Sequence, residues 1–272
     1  MNENRARQAA RLIWDHWSSG TVIDALPLDC RPTTPQEGYA VQAMLPSLSQ
    51  RRVLGWKIAA TSSVGQAHIN VTEPLPGRLL EGQVYPPGAT IPSQGNRMRV
   101  AEPEMTFTLG SQLSPRSRPY ELQEVLDSVA SLHPALEIPD SRFADFTVAG
   151  QAQLLADNAC AHHFILGEPA PDSWRALDLS QHSVHAVVTQ ATGYQWSREG
   201  TGAAVLGDPR IALLWLVNEL TRQGLSLQAG EFITTGTCMT PLQIIPGDAV
   251  LADFGALGRV SMRFDNEGVG PR

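Results

Sequence analysis

The spacing of apolar residues divides the chain into a helical beginning and a long stretch dominated by strands. Ala9, Leu12, Ile13 and Trp17 recur at helical spacing and predict an amphipathic helix over 3–19, with Gly20 as its stop. Thr34-Pro35 reads as an N-cap followed by proline at the first helical position, opening a second helix that runs toward Leu48. From Leu54 the pattern changes to short β-branched runs broken by Gly and Pro, as in Pro74-Leu-Pro-Gly77 and Pro86-Pro-Gly88. That is the signature of loop-rich antiparallel or mixed sheet rather than of βαβ repeats. Further strands are predicted over 100–109, 182–189, 231–235, 249–254 and 258–264. Helices are predicted over 120–132, 150–157 and 210–222, the last capped by Asp208-Pro209 and closed by Gly224. The expected organisation is α+β: a helical N-terminal cap over 1–52, a sheet-rich core over 53–264 and a mobile tail over 265–272.

Within this pattern the strand at 100–109 carries unexpected charge. Side chains alternate across a strand, so Glu102 and Glu104 project to one face. Pro103 removes a ladder donor, which predicts an edge or strand-start position. Glu137 sits inside a second apolar run, and carboxylates are rarely buried unless paired. Two readings fit: a solvated strand edge, or three carboxylates converging on a cation. An all-oxygen set suits Mg²⁺ or Mn²⁺ far better than zinc. Arg142, close behind Glu137, would then support the cluster from behind or bind a substrate carboxylate bidentately.

The basic residues sharpen the choice. Lysine and arginine total 20, and the single lysine is Lys57, in the apolar run Val53-Leu-Gly-Trp-Lys-Ile-Ala-Ala60. It either snorkels from a strand end or does what arginine cannot, holding and releasing a proton.

Bulk properties exclude several classes. A net charge of −7 leaves no footprint for nucleic acid, and no polybasic cluster points to a membrane surface. The polar start lacks the apolar stretch of a signal peptide, and runs such as Ile211 to Val217 are too short to span a bilayer. Cys30, Cys160 and Cys238 match neither a disulfide framework nor a zinc site, so a reduced, cytoplasmic location is expected. Cys160 and Cys238 read as small buried apolar residues. Gly200-Thr-Gly202 lacks the third glycine of a dinucleotide fingerprint. His162-His163 and His182/His185 are expected to point to opposite strand faces rather than to form a ligand pair.

Taken in order, Gly55-Trp-Lys57, Glu102-Pro-Glu104, Ala135-Leu-Glu137 with Ser141-Arg142, Ala156-Asp-Asn-Ala159, and Thr235-Gly236 before a Pro-Gly-Asp turn resemble a known family. It is the 2-keto-4-pentenoate hydratase branch of the fumarylacetoacetate hydrolase superfamily, and the resemblance spans roughly 5–264. It implies a mixed β-roll core, a homo-oligomer, a Mg²⁺ or Mn²⁺ site made of Glu102, Glu104 and Glu137, and Lys57 as the active-site lysine. The implied substrate is a 2-hydroxy-2,4-dienoate or its 2-oxo tautomer, hydrated to a 4-hydroxy-2-oxo acid. Arg142, Leu75, Cys160, Thr235 and Gly236 fall at positions that would contact substrate. There are two departures. Hydratases of this branch carry an aspartate where this chain has Leu75, and a serine where it has Cys160. Losing the aspartate favours the sibling activity, decarboxylation of a 2-oxo-3-enedioate of the 4-oxalocrotonate type. Hydrolysis of a C–C bond and a non-catalytic accessory subunit are the remaining alternatives, and the metal content of the purified protein separates the last from the enzymes.

Overall fold

The computed structural model describes residues 1–266. Its organising element is the ten-residue strand Val100–Leu109, in the middle of a mixed sheet. Across that sheet the order is Leu75–Leu80, Val53–Ala59, Phe232–Thr237, Val100–Leu109, Val129–Ile138, His163–Leu166 and Val84–Tyr85. Leu242–Gln243 pairs beside the start of Val100–Leu109. Val53–Ala59 runs parallel to Phe232–Thr237, and Val84–Tyr85 parallel to His163–Leu166; the other neighbours are antiparallel. A second sheet holds Thr90–Ile91, Arg259–Phe264, Ala249–Asp253, Ser183–Thr189 and Gln195–Thr201, in that order.

Strand alternation decides what each face does. Ala101, Met105, Phe107 and Leu109 point from the central strand into the main core, as do Leu132, Leu136 and Ile138 from its neighbour. The same core takes Val184, Ala186, Val188, Val250, Ala252, Val260 and Met262 from the second sheet, so the two sheets are glued face to face. The alternate positions, including Glu102, Glu104 and Glu137, fall on the opposite face of the large sheet.

Two helices behave as their sequence dictates. In Glu3–Ser19, Asn2 caps the start by accepting from Arg5 N, and Gly20 ends it with a left-handed φ of 66°. Its Ala6, Ala9, Ala10, Ile13 and Trp17 pack with Leu26, Val41 and Leu45, and with Leu80, Phe143 and Ala156 from beyond residue 53. Pro209–Arg222, capped by Asp208, buries Ala212, Leu213, Leu216, Val217 and Leu220. No helix of the described residues is long and apolar enough to cross a membrane.

Three expectations need correction. The second helix is two short ones, Pro35–Gln42 and Leu45–Ser49, because Pro46 cannot donate back to Gln42. The helix expected over 120–132 stops at Asp127, and Val129–Leu132 belong to the strand beside the central one. Val100–Leu109 is not an edge: it is paired on both sides. Pro103 is tolerated because its carbonyl accepts from Cys238 N at 2.8 Å, so its missing N–H faces the same side, where the ladder is already interrupted between Thr234 and Thr237. Of the tail expected to be mobile, Asp265 donates its N–H to Ile91 O at 2.8 Å, and 267–272 lie outside the described residues.

Candidate active site

The register of the two central strands sets Glu102 directly opposite Glu137, with Glu104 two residues on, on the same face. One carboxylate oxygen from each lies within 4.8 Å of the others. Glu104 and Glu137 are fully buried and Glu102 is half-buried. Glu104 Oε2 accepts from Thr234 Oγ1 and from Gly236 N at 3.0 Å, which aims Oε1, left without a partner, at the cluster. Both Glu137 oxygens also lack hydrogen bonds. Burial first, and mutual repulsion second, push Glu102 up to about 7 and Glu104 well above the usual carboxylate range. Glu137 is raised by burial too, although Lys57 opposes the shift.

Lys57 supplies the one cation. In Val53–Ala59, Trp56 and Ile58 enter the core, so Lys57 projects to the face that carries the glutamates. It is 3% exposed, with Nζ 3.1 Å from Glu137 Oε1. That contact is ionic; the ammonium's hydrogen bond goes to Ala159 O at 3.0 Å. Burial pulls the lysine pKa down, but Glu137 and Glu102 outweigh it and the net shift is upward. Three carboxylates against one ammonium leave two formal negative charges, which a divalent cation would neutralise. Orphaned buried oxygens and an oxygen-only donor set therefore fit a cation such as Mg²⁺.

The lysine is held by an unusual turn. Asn158, Ala159 and Cys160 all have positive φ, 57°, 52° and 59°. Three successive non-glycine residues in this region store strain, so the surroundings must over-determine them. Asn158 brackets Arg78, accepting from its N at 2.7 Å and donating to its O at 2.8 Å. Asp157 accepts from Ser141 Oγ at 2.7 Å and pairs with the buried Arg142, whose guanidinium also reaches Asp140 O, Ala161 O and Asp157 O. Arg142 stacks on Trp17 and touches none of the glutamates; its contacts tie it to the turn. Arg142→Met is expected to destabilise the fold by ~3–5 kcal/mol, the cost of leaving a buried charge unpaired, and to lower turnover by displacing the Ala159 carbonyl. Denaturant unfolding and steady-state kinetics check both.

A cavity of about 770 Å³ opens beside the cluster, with Lys57, Glu102, Ala159 and Cys160 on its wall and Ile69, Met98, Phe146 and Met239 as apolar surface. Burial first, and Asp157 second, push the Cys160 thiol up to about 12, so it stays protonated. Leu75 and Thr235 are not on that wall. Leu75 packs against Val71, Leu154 and Leu155, and Thr235 Oγ1 donates to Met105 O at 2.8 Å. Gly236 acts through Glu104. Its φ is +104°, and an added Cβ would lie 2.1 Å from Thr61 Oγ1. Gly236→Ala is expected to cost at least ~1 kcal/mol in strain and to weaken cation binding, measured by unfolding and by metal titration. The two adjacent histidines do not diverge. His162 precedes its strand, where alternation does not apply, and the rings lie 3.8 Å apart, buried and held neutral, with His163 lowered to about 4. Neither joins the glutamates. Sequence reading missed Thr234, Thr61 and Arg198; only the Asn158-Ala159 pair gave a local signal for the turn, since asparagine tolerates left-handed backbone.

No protein-family model matches the chain. It is 33% identical over 270 residues to the 2-keto-4-pentenoate hydratase of Paraburkholderia xenovorans (strain LB400), covering 98% of this chain and 97% of that one. The 2-oxo-hept-4-ene-1,7-dioate hydratase of Escherichia coli is 30% identical over 252 residues, 89% of this chain and 91% of its own. Among solved structures, the 4-oxalocrotonate decarboxylase from Pseudomonas putida G7, complexed with magnesium and adipate, superposes with a TM-score of 0.84 at 26% identity, over 97% of this chain and 98% of that one. The α+β architecture of two curled sheets is the fumarylacetoacetate hydrolase-like fold, and the chain belongs to the family of 2-keto-4-pentenoate hydratases and 4-oxalocrotonate decarboxylases.

Proposed function

We propose that the cavity binds a 2-hydroxy-2,4-dienoate or its 2-oxo tautomer and that the chain catalyses addition of water to give a 4-hydroxy-2-oxo acid. The observation that carries this reading is the convergence of Glu102, Glu104 and Glu137 with Lys57 beside one cavity. The three glutamates would hold Mg²⁺ or Mn²⁺. When bound, such an ion supplies Lewis-acid stabilisation of negative charge on the substrate's carboxylate and 2-oxygen. Lys57 handles protons: tautomerisation removes one from the 2-hydroxyl and places one on the far carbon of the diene, and hydration then adds hydroxide at C4 and a proton at C3. The apolar wall of Ile69, Met98, Phe146 and Met239 excludes bulk water from these charges. Exposed Tyr194, Ile245 and Leu251 offer apolar surface for the homo-oligomer that forms part of this proposal.

One observation favours a second reading. Position 75 is a leucine buried among apolar neighbours, so no carboxylate stands there to activate water. Decarboxylation of a 2-oxo-3-enedioate needs the same charge stabilisation and proton delivery but no such base. The deciding experiment presents 2-hydroxy-2,4-dienoates and 2-oxo-3-enedioates of five to seven carbons to the protein with Mg²⁺. Products are identified by mass. Gain of water establishes hydration, loss of CO₂ establishes decarboxylation, and no turnover on any member rejects both.

A further inference from the structure

The same cavity must also receive the end of the substrate remote from the 2-oxo group. Besides Lys57 and Glu102, the one other fixed charge on its wall among the described residues is Arg198. Arg198 comes from Gln195–Thr201, the edge strand of the second sheet. That edge is pressed against the segment that follows Phe232–Thr237. Thr201 N donates to Cys238 O at 3.0 Å, and a Cβ on Gly200 would lie 2.1 Å from the same oxygen. Gly202 is equally confined, 2.0 Å from Leu179 O by the same measure. The two glycines that look like a broken dinucleotide motif are thus close-approach positions that dock one sheet edge over the cavity.

The docking fixes one end of the guanidinium. Nη1 donates to Thr240 O at 3.2 Å and to Pro241 O at 2.7 Å, using both its hydrogens. Nε and the second amino group have no carboxylate or carbonyl partner among the described residues. Together they form the side-on fork that binds a carboxylate with two parallel hydrogen bonds. Leu242, the residue after Pro241, pairs with Ala101, the residue before Glu102, so the anchor of Arg198 is tied to the strand that carries the glutamates. The fork and Glu102 of the glutamate cluster therefore open onto one cavity, whose remaining wall includes the apolar Ile69, Met98, Phe146 and Met239.

We propose that Arg198 is a specificity residue that selects substrates carrying a second carboxylate at the end remote from the 2-oxo group. The inference rests on the reading of the cavity as a 2-oxo acid site and narrows its substrate class to 2-oxo-enedioates and their dienol tautomers. A neutral alkyl terminus would leave the fork facing water or methyl groups, whereas a carboxylate pairs with it.

The test compares the parent, Arg198→Met and Arg198→Lys, each loaded with Mg²⁺. The first readout is the ratio of kcat/KM for 2-hydroxyhepta-2,4-diene-1,7-dioate to that for 2-hydroxypenta-2,4-dienoate. The second is calorimetric binding of adipate against hexanoate, which differ only in the distal group and need no turnover. The parent is expected to favour the dicarboxylate in both. Arg198→Met should lower the kinetic ratio by about 30-fold or more, in the range for a lost charge-assisted pair, and abolish the preference for adipate. Arg198→Lys, which keeps the charge but not the fork, should fall between. Equal losses on both substrates would place Arg198 at the C1 carboxylate and overturn the proposal, as would an unaltered ratio. If neither dienoate is turned over while adipate still outbinds hexanoate through Arg198, the lyase reading fails and the role of Arg198 stands.

Discussion

Lys57→Arg and Lys57→Met are both expected to lower turnover by roughly 10²-fold or more, a barrier increase of about 2.7 kcal/mol. The reason lies in what each variant keeps. Arginine keeps the positive charge beside Glu137 but never gives up a proton in practice. Methionine keeps the volume and has no proton to give. If Lys57 served only to balance buried carboxylates, arginine would restore function and methionine alone would fail. If it moves protons, both fail together. The site also leaves little room for a larger head group: Ala159 O takes the ammonium's hydrogen bond, and a Cβ at Gly77 would already lie 3.1 Å from the lysine stem. Turnover, melting temperature and metal content measured on the same preparations separate the cases. Activity of either variant within about threefold of the parent, under 1 kcal/mol in barrier, would end the proton-transfer role.

The second large effect is on stability, through the divalent cation and pH together. Burial raises Glu102, Glu104 and Glu137 above the value a carboxyl has in the unfolded chain, and repulsion adds to it at Glu102 and Glu104. A group whose folded pKa is raised binds extra protons in the native state. Its contribution is fully present below the unfolded pKa and is lost as pH rises through the folded one, about 7 for Glu102. The metal-free protein should therefore lose stability between about pH 5 and pH 8. A divalent cation takes the protons' place, so it should stabilise more at pH 8 than at pH 6 and release protons as it binds. At a hundredfold excess over its Kd the gain is about 2.7 kcal/mol, or roughly 5–10 °C in Tm for a chain of this size. Scanning calorimetry with Mg²⁺ and with a chelator, at both pH values, measures it. Glu104→Gln, which weakens the cation site, should remove the difference. A Mg²⁺ shift of equal size at both pH values, or none, would show that the cluster is not held together by a metal.

Local chemistry made part of this site legible. Alternation alone placed Glu102 and Glu104 on one face, and the solitary lysine marked Lys57 before any fold was known. The rest depends on contacts between distant segments. Glu137 meets Glu102 because of a strand register that passes through an irregularity between Thr108 and Leu109, and no local pattern encodes that. Leu122, Val125, Leu126 and Val129 have helical spacing, yet Val129 starts a strand, since β-branched residues beside a waiting partner strand satisfy either period. Pro103 read as an edge signal because the gap that accommodates it lies some 130 residues away, between Thr234 and Thr237. Arg142 read as support behind the cluster or as a substrate ligand; its pairing with Asp157, which braces the turn behind Lys57, joins segments that no local pattern brings together. Arg198 gave no signal at all, since its place is set by how one sheet edge docks on another segment.

The solitary lysine has a practical consequence as well. Amine-directed reagents normally scatter over a protein surface, but here the only side-chain amine in the sequence stands on the wall of the cavity. Because Glu137 holds the amine protonated, an acylating or reductively alkylating probe small enough to enter the cavity, applied at alkaline pH, would report on occupancy of that cavity without any engineered handle. Protection by a bound carboxylic acid would then map the cavity in the unmodified protein. The same scarcity leaves lysine-to-lysine cross-linkers poorly suited to testing whether copies of this chain associate, so carboxyl- or arginine-directed chemistry is the better route to that question.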